Sequence, residues 1–311
     1  MPPLTIIFAG SGEFGLPTLR ALRAAGHTVA QVFSQPDRPA GRGNRLTPTP
    51  VSAYAAGEGL PLVRTPDVNA EPLPPADAMV VIAFGQKIAP HVVGHPRLGS
   101  VNLHASLLPR YRGAAPINWA ILRGETQSGN SVIRLANRMD AGAILGQSRI
   151  VIGELETAGE LHDRLAEDGA PLVLRVLDEL AAGRAVEAAQ DESLATIAPK
   201  LNRDASRVDF GRSAIEVARQ IRGLYPWPGC RVQVISPDGA PRDRVTLVRA
   251  RPLPGGASAT PPGMVDRHDH IATGDSALEL IELQPEGKRP MTLAAYRNGH
   301  PWLPGLGLRP L

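Results

Sequence analysis

Short apolar runs separated by amphipathic stretches organise the first half of the chain: Leu4 to Ala9, Thr28 to Ser34, Leu60 to Thr65, Ala78 to Phe84 and Ser100 to Ala105. Continuous runs such as Met79-Val80-Val81-Ile82-Ala83-Phe84 suit strands covered on both faces, because a strand with one wet face would alternate. They predict an α/β fold around a parallel sheet. Only the third run contains a proline, Pro61, near its start, where a strand best tolerates a missing N–H. Between the first two runs a helix is expected from about Leu16 to Ala25. Pro17 fits its first turn, whose N–H groups have no intrahelical partner to lose.

Beyond Asp140, the alternating stretch Ala143 to Ile152 predicts one or two strands. Thr157 and Glu160 have capping-box spacing and open a helix. Gly169 and Pro171 are expected to break that helix, with a second one running to about Ala182 before Gly183. A first domain of residues 1–189 follows, then a polar, irregular linker over 190–206. Residues 207–311 read as a second domain: a helix from about Ser213 to Arg222, then short strands separated by Gly and Pro turns, which suggests a small β-barrel.

Length and composition agree with two globular domains: 311 residues, 43% hydrophobic, with 32 Gly and 31 Pro that imply many turns. A net charge of +3 implies neither nucleic acid nor membrane. Its distribution adds a little, since residues 201–311 hold 15 Arg and Lys against 11 Asp and Glu, a mildly basic second domain. The single cysteine, Cys230, excludes an internal disulfide and a cysteine-based zinc site and fits a reducing compartment. The longest apolar run falls well short of the ~20 residues of a membrane span, and no signal-like segment is evident, so a cytoplasmic location is expected.

Three segments carry candidate chemistry. Gly10, Gly12 and Gly15 in GSGEFG follow a strand and open a helix, the local form of a dinucleotide fingerprint. The second strand, however, ends in Ser34-Gln35-Pro36 without the acid that would bind ribose hydroxyls, which favours a simple tight turn. In the second segment, Gly99 to Pro116, Asn102 and His104 stand two apart on one strand and share a face. An amide can donate to an oxygen that becomes negative, and an imidazole can exchange a proton near neutral pH. Both lie at the C-terminal end of a sheet strand, where open α/β sheets bind ligands. The third segment is the loop from Pro36 to Pro50, where Arg38, Arg42 and Arg45 surround Gly41 and Gly43 in a form able to follow a phosphate backbone.

Asn102, His104, the run Ser106-Leu107-Leu108-Pro109, Arg110 to Pro116 and Asp140 in Met139-Asp140-Ala141-Gly142 together resemble the folate-dependent formyltransferases. The resemblance continues through Phe8 to Gly15, Asp37 to Leu46, Leu224 to Pro228 and Gln284 to Lys288, essentially the whole chain. It implies a Rossmann-like formyltransferase domain that takes 10-formyltetrahydrofolate, followed by an OB-like barrel that helps hold tRNA. Asn102, His104 and Asp140 would form the catalytic set. Ser106, Leu107, Leu108 and Pro109 would line the folate site, with Gly85, Gln86, Lys87 and Ile88 beside the pterin. Arg38, Arg42 and Arg45 would grip the acceptor arm of a methionyl initiator tRNA, whose amine would receive the formyl group. Neither a metal nor a membrane is implied, and a monomer is expected. The approach Ala136-Asn137-Arg138-Met139 departs from the more acidic, Gly-containing pattern of many relatives, which bears on the shape of the loop before Asp140.

That chemistry is physically coherent. Amine attack on the formyl carbon creates a tetrahedral oxyanion that Asn102 and protonated His104 could stabilise, and Asp140 could orient His104 while protons pass from amine to leaving nitrogen. A hydrolase releasing formate from the same donor would use the same three residues. A nicotinamide oxidoreductase rests on GSGEFG alone, and a noncatalytic RNA-binding module on the basic loop and barrel alone. Elsewhere, His91 and His95 have helical metal-ligand spacing but no carboxylate motif, His268-Asp269-His270 reads as an exposed turn, and Tyr225 and Trp227 read as packing at the start of the barrel.

Overall fold

The computed structural model describes residues 3–40, 43, 45–256 and 259–311. Arg42 therefore lies outside the described residues. The chain forms two compact units that interleave along the sequence: Met1–Gly113, Ser128–Ile150 and His162–Ile197 make the first, and Ala114–Gln127, Val151–Leu161 and Ala198–Leu311 the second.

The first unit is built on strands β1 (Thr5–Gly10), β2 (Thr28–Ser34), β3 (Leu62–Arg64), β4 (Ala78–Ile82), β5 (Ser100–His104), β6 (Gln127–Arg134) and β7 (Ile144–Val151), in the order β7-β6-β5-β4-β1-β2-β3. Parallel pairing runs from β3 through to β5. β6 then pairs with β5 antiparallel, Asn102 opposite Ile133 and His104 opposite Ser131, so the sheet is mixed where a parallel one was expected. The continuous apolar runs do sit in the interior. Ile7, Ala9, Phe33, Met79 and Val81 pack with Val68, Phe84 and Val92, while the alternate residues Ile6, Phe8, Val80 and Ile82 are buried on the opposite face.

Two expectations fail for identifiable reasons. Residues Ala158–Ala181 form one 24-residue helix that continues through Pro171. Leu161, Leu165, Leu172, Val173, Val176, Leu177 and Leu180 are all buried along it, and burying side chains of this kind at about 1.5–3 kcal/mol each exceeds the roughly 3 kcal/mol of an interior proline. Gly169 marks a close approach instead of a break, since a Cβ there would sit 2.6 Å from Leu103 Cδ2 on β5. The expected capping box does form: Thr157 N donates to Glu160 at 2.8 Å and Glu160 N to Thr157 Oγ1 at 3.3 Å. The second failure is the basic loop, whose flanks Arg38–Ala40 and Arg45–Thr47 pair antiparallel as a short ribbon. Past it, Thr49 caps a helix over Pro50–Gly57, accepting from Ser52 N at 3.1 Å.

In the second unit, helix Ala214–Gly223, opened by a capping box of Ser213 and Glu216, buries Val217 and Ile221 in a core with Val232, Leu247, Leu280, Leu283, Tyr296 and Trp302. The antiparallel sheet runs Ile271–Ala272, Ala277–Pro285, Pro241–Leu253, Cys230–Ile235, Gly307–Pro310. Its outer strands are joined through one segment: Met264 bridges to Gly307 and Val265 to Ile271, which closes the expected barrel. Cys230 is fully buried and its thiol is pushed up to about 12 by burial. Trp227, expected to pack, is 52% exposed. Among the described residues no helix is long and apolar enough to cross a membrane.

Candidate active site

β5 ends at His104, which is only 7% exposed, with Asn102 half-buried two residues upstream on the same side of the strand. The imidazole is held at one nitrogen and faces a carboxylate with the other. Nε2 lies 2.9 Å from the carbonyl oxygen of Tyr111, and a carbonyl can only accept, so Nε2 carries the proton. Nδ1 is left with a lone pair, and it faces Asp140 Oδ2 at 3.6 Å. That separation exceeds hydrogen-bond range, but it sets a carboxylate where it balances an imidazolium. Asp140 Oδ2 accepts from Gly113 N at 2.8 Å. The chain thus brings His104 and Asp140 together across 36 positions, and any proton that His104 exchanges must pass through Nδ1.

Two backbone turns make this arrangement, and both place a residue that is not glycine in the left-handed region: Tyr111 at φ 62° and Asp140 at φ 54°. Aspartate tolerates that region, whereas a tyrosine there is strained. Residues Ala136 to Met139, the departure noted in the sequence, are exposed, Met139 to 76%.

Ser106 to Pro109 forms a turn beside His104, with a cis Leu108–Pro109 peptide. Ser131 Oγ donates to Ser106 O at 2.6 Å and accepts from Leu108 N at 3.0 Å, and Gln147 Nε2 donates to Leu108 O at 2.9 Å. The Ser106 hydroxyl is spent on Arg110 O at 2.7 Å, so this serine shapes the turn and has no free donor for a ligand. Gln86 is committed too: its Oε1 accepts from Val68 N at 2.8 Å and its Nε2 donates to Thr65 O at 2.7 Å. That leaves exposed Gly85 (φ 76°), exposed Lys87 and half-buried Ile88 on the loop after β4. Gly10 and Gly15 are packing glycines, since a Cβ at either would press on the Phe8 ring at 2.8 and 3.1 Å. Exposed Arg38 donates to Gln35 Oε1, and exposed Arg45 stands on the other arm of the ribbon. His91 and His95 bond the carbonyls of Asn69 and Pro74, and among the described residues no cluster could hold a metal.

Sequence reasoning missed the partners that hold the site. Arg112, 4% exposed, donates to Gln190 Oε1 at 2.7 and 3.0 Å and to Glu192 at 2.9 and 3.0 Å. Bonds from Arg112 and Arg138 hold the Glu192 carboxyl down to about 2. Residues 190–196, read as linker, are therefore tied to the site.

The family model described as formyl transferase matches residues 4–177, and the one described as formyl transferase, C-terminal domain, matches 200–301. A methionyl-tRNA formyltransferase of Methylococcus capsulatus is 40% identical over 310 residues, covering 96% of this chain and 97% of the relative. The chain belongs to the methionyl-tRNA formyltransferase family. Another member, from Pseudomonas fluorescens, is 42% identical over 304 residues, covering 95% of this chain and 93% of its own. Solved structures share the fold at lower identity. The sugar 3N-formyltransferase WlaRD, solved with dTDP and 5-N-formyl-THF, aligns with a TM-score of 0.65 at 16% identity over 92% of this chain and 99% of its own. HypX from Aquifex aeolicus, in complex with tetrahydrofolic acid, aligns at 0.62 and 18% over 94% of this chain and 47% of its own. Family membership decides against the nicotinamide oxidoreductase and the noncatalytic module.

Proposed function

We propose that this chain transfers the formyl group of 10-formyltetrahydrofolate to the α-amino group of methionyl initiator tRNA. The observation that carries the reading is the pairing of His104 Nδ1 with Asp140 at the end of β5, in a chain with full-length kinship to methionyl-tRNA formyltransferases. Residues 1–189 would bind the folate, along Ser106 to Pro109 and Gly85 to Ile88, while the 207–311 domain, reached through 190–206, and the arginines Arg38, Arg42 and Arg45 would hold the tRNA. The protein works as a cytoplasmic monomer in this reading.

His104 takes the proton of the attacking amine on Nδ1, because Nε2 is held by the Tyr111 carbonyl. It returns that proton to the departing folate nitrogen, so the ring ends each turnover neutral. Asp140 balances the transient imidazolium. Asn102 donates its amide N–H groups to the oxygen that gains negative charge as the carbon becomes tetrahedral. No bond to the enzyme forms. Water in place of the amine would make the same site a hydrolase; the mildly basic second domain and the Arg-bearing ribbon favour an RNA acceptor. The experiment is to supply 10-formyltetrahydrofolate with charged initiator and elongator tRNAs and measure formyl-methionyl-tRNA and formate separately. Formylation of the initiator is expected; formate release without it would replace this reading with the hydrolase.

A further inference from the structure

The turns on the two sides of His104 are fastened by one stretch of chain, residues 190–196. On the Nε2 side, Tyr111 N donates to the Thr196 hydroxyl at 2.9 Å. Around that bond, Thr196 O accepts from Arg112 N at 2.8 Å and Thr196 N donates to Pro109 O at 3.3 Å. The strained Tyr111 peptide is thus pinned before and after its carbonyl, the group that takes the Nε2 proton. On the Nδ1 side, Gln190 Nε2 donates to Asp140 O and to Gly142 O, both at 2.8 Å. Gln190 is itself aimed by buried Arg112, whose guanidinium meets its Oε1. An amide turned around would present NH2 to that cation, so its orientation is determined.

We propose that Thr196 and Gln190 are positioning residues for the proton transfer: Thr196 holds the carbonyl that selects the His104 tautomer, and Gln190 holds the turn that presents Asp140 to the reactive nitrogen. The proposal rests on the reading of His104 as proton carrier. Neither residue contacts the reacting atoms in this role. Without Thr196 the Tyr111 turn can relax from its left-handed conformation and withdraw its carbonyl, leaving the ring proton free to occupy either nitrogen. Without the Gln190 donors the Asp140 turn loses both ties to residue 190.

The test compares Thr196→Val, which keeps shape but removes the acceptor, Thr196→Ser, which retains it, and Gln190→Glu, which retains size but cannot donate. Steady-state formyl transfer is measured with initiator tRNA, together with the 15N resonances of His104 and the pH–rate profile. Thr196→Val is expected to lower kcat about tenfold or more, with KM for both substrates within about twofold, and to replace the single Nε2–H signature by a tautomer mixture. Thr196→Ser is expected to recover kcat to within about threefold and the wild-type spectrum. Gln190→Glu is expected to lower kcat similarly and to shift the pH–rate profile while keeping the tautomer. Wild-type kcat in Thr196→Val and Gln190→Glu overturns the proposal, as does a loss in Thr196→Val with unchanged tautomer and no rescue by serine. Should Thr196→Val not fold, wild-type kcat and pH profile in Gln190→Glu overturn it alone. Failure of the unaltered chain to formylate any tRNA rejects the proposed function instead, so the two failures are distinguishable.

Discussion

Gly142→Ala should disable the site through the backbone turn that carries Asp140. An added Cβ would lie 1.8 Å from the Arg134 carbonyl oxygen and 2.9 Å from its carbon, against a comfortable separation of about 3.5 Å. Arg134 is held in the sheet opposite Val101, so the Asp140 turn must give way, by roughly 1.5 Å. That displacement takes the two 2.8 Å bonds from Gln190 to Asp140 O and Gly142 O beyond hydrogen-bond range. Two such bonds at about 1 kcal/mol each, with about 1–3 kcal/mol for overpacking, give a destabilisation of roughly 3–5 kcal/mol. Asp140 moves with the turn, and misplacement on the order of 1 Å at a reacting centre costs about 10²-fold in rate. Urea denaturation and initiator-tRNA formylation read the two quantities. Gly57→Ala is the control: nothing lies within 4 Å of a Cβ there, so unchanged rates and a gain of up to about 1 kcal/mol are expected. A Gly142→Ala protein with wild-type rates and denaturation midpoint would refute the reasoning.

Further outcomes follow from the charged and buried groups. His27 is buried and accepts from Leu4 N at 3.0 Å through Nδ1, and burial holds it below its ordinary 6.5. The unfolded chain therefore binds the proton first, so stability present above about pH 6.5 falls as pH drops below it; urea midpoints at pH 7.5 and 5.5 should differ less in His27→Gln. Cys230, raised to about 12, should resist alkylation at pH 8 until denaturant is added, and rapid labelling of native protein would contradict its burial. Arg42→Ala should raise KM for tRNA while the KM for the folate donor stays within about twofold; unchanged kinetics with full-length tRNA would remove Arg42 from the tRNA interface.

Much of the fold was legible because the central strands β1 and β4 carry uninterrupted apolar runs, and because Thr157 and Glu160 state a helix start locally. β6 was not legible. Ser128, Asn130 and Ser131 are polar yet buried in it, and two of them bond to distant groups: Asn130 Nδ2 donates to Leu165 O and Asp168, and Ser131 ties down the Ser106 turn. Local pattern cannot reveal long-range satisfaction of that kind. The helix at Pro50 could have been found, since Thr49-Pro50 places a cap before a first-turn proline. The strand alternation of Asn102 and His104 was readable, whereas the roles of Tyr111, Gln190 and Thr196 depend on one backbone carbonyl and on contacts 48 to 85 positions apart.

The central claim is that Nδ1 of His104 carries the transferred proton while Asn102 steadies the developing charge. Single-turnover formyl transfer with saturating donor and initiator tRNA, run on Asn102→Ala and His104→Ala against the unaltered chain, tests it most directly. A loss of at least about 10²-fold in each is predicted, with both variants still binding tRNA. Near-normal turnover by both would contradict it.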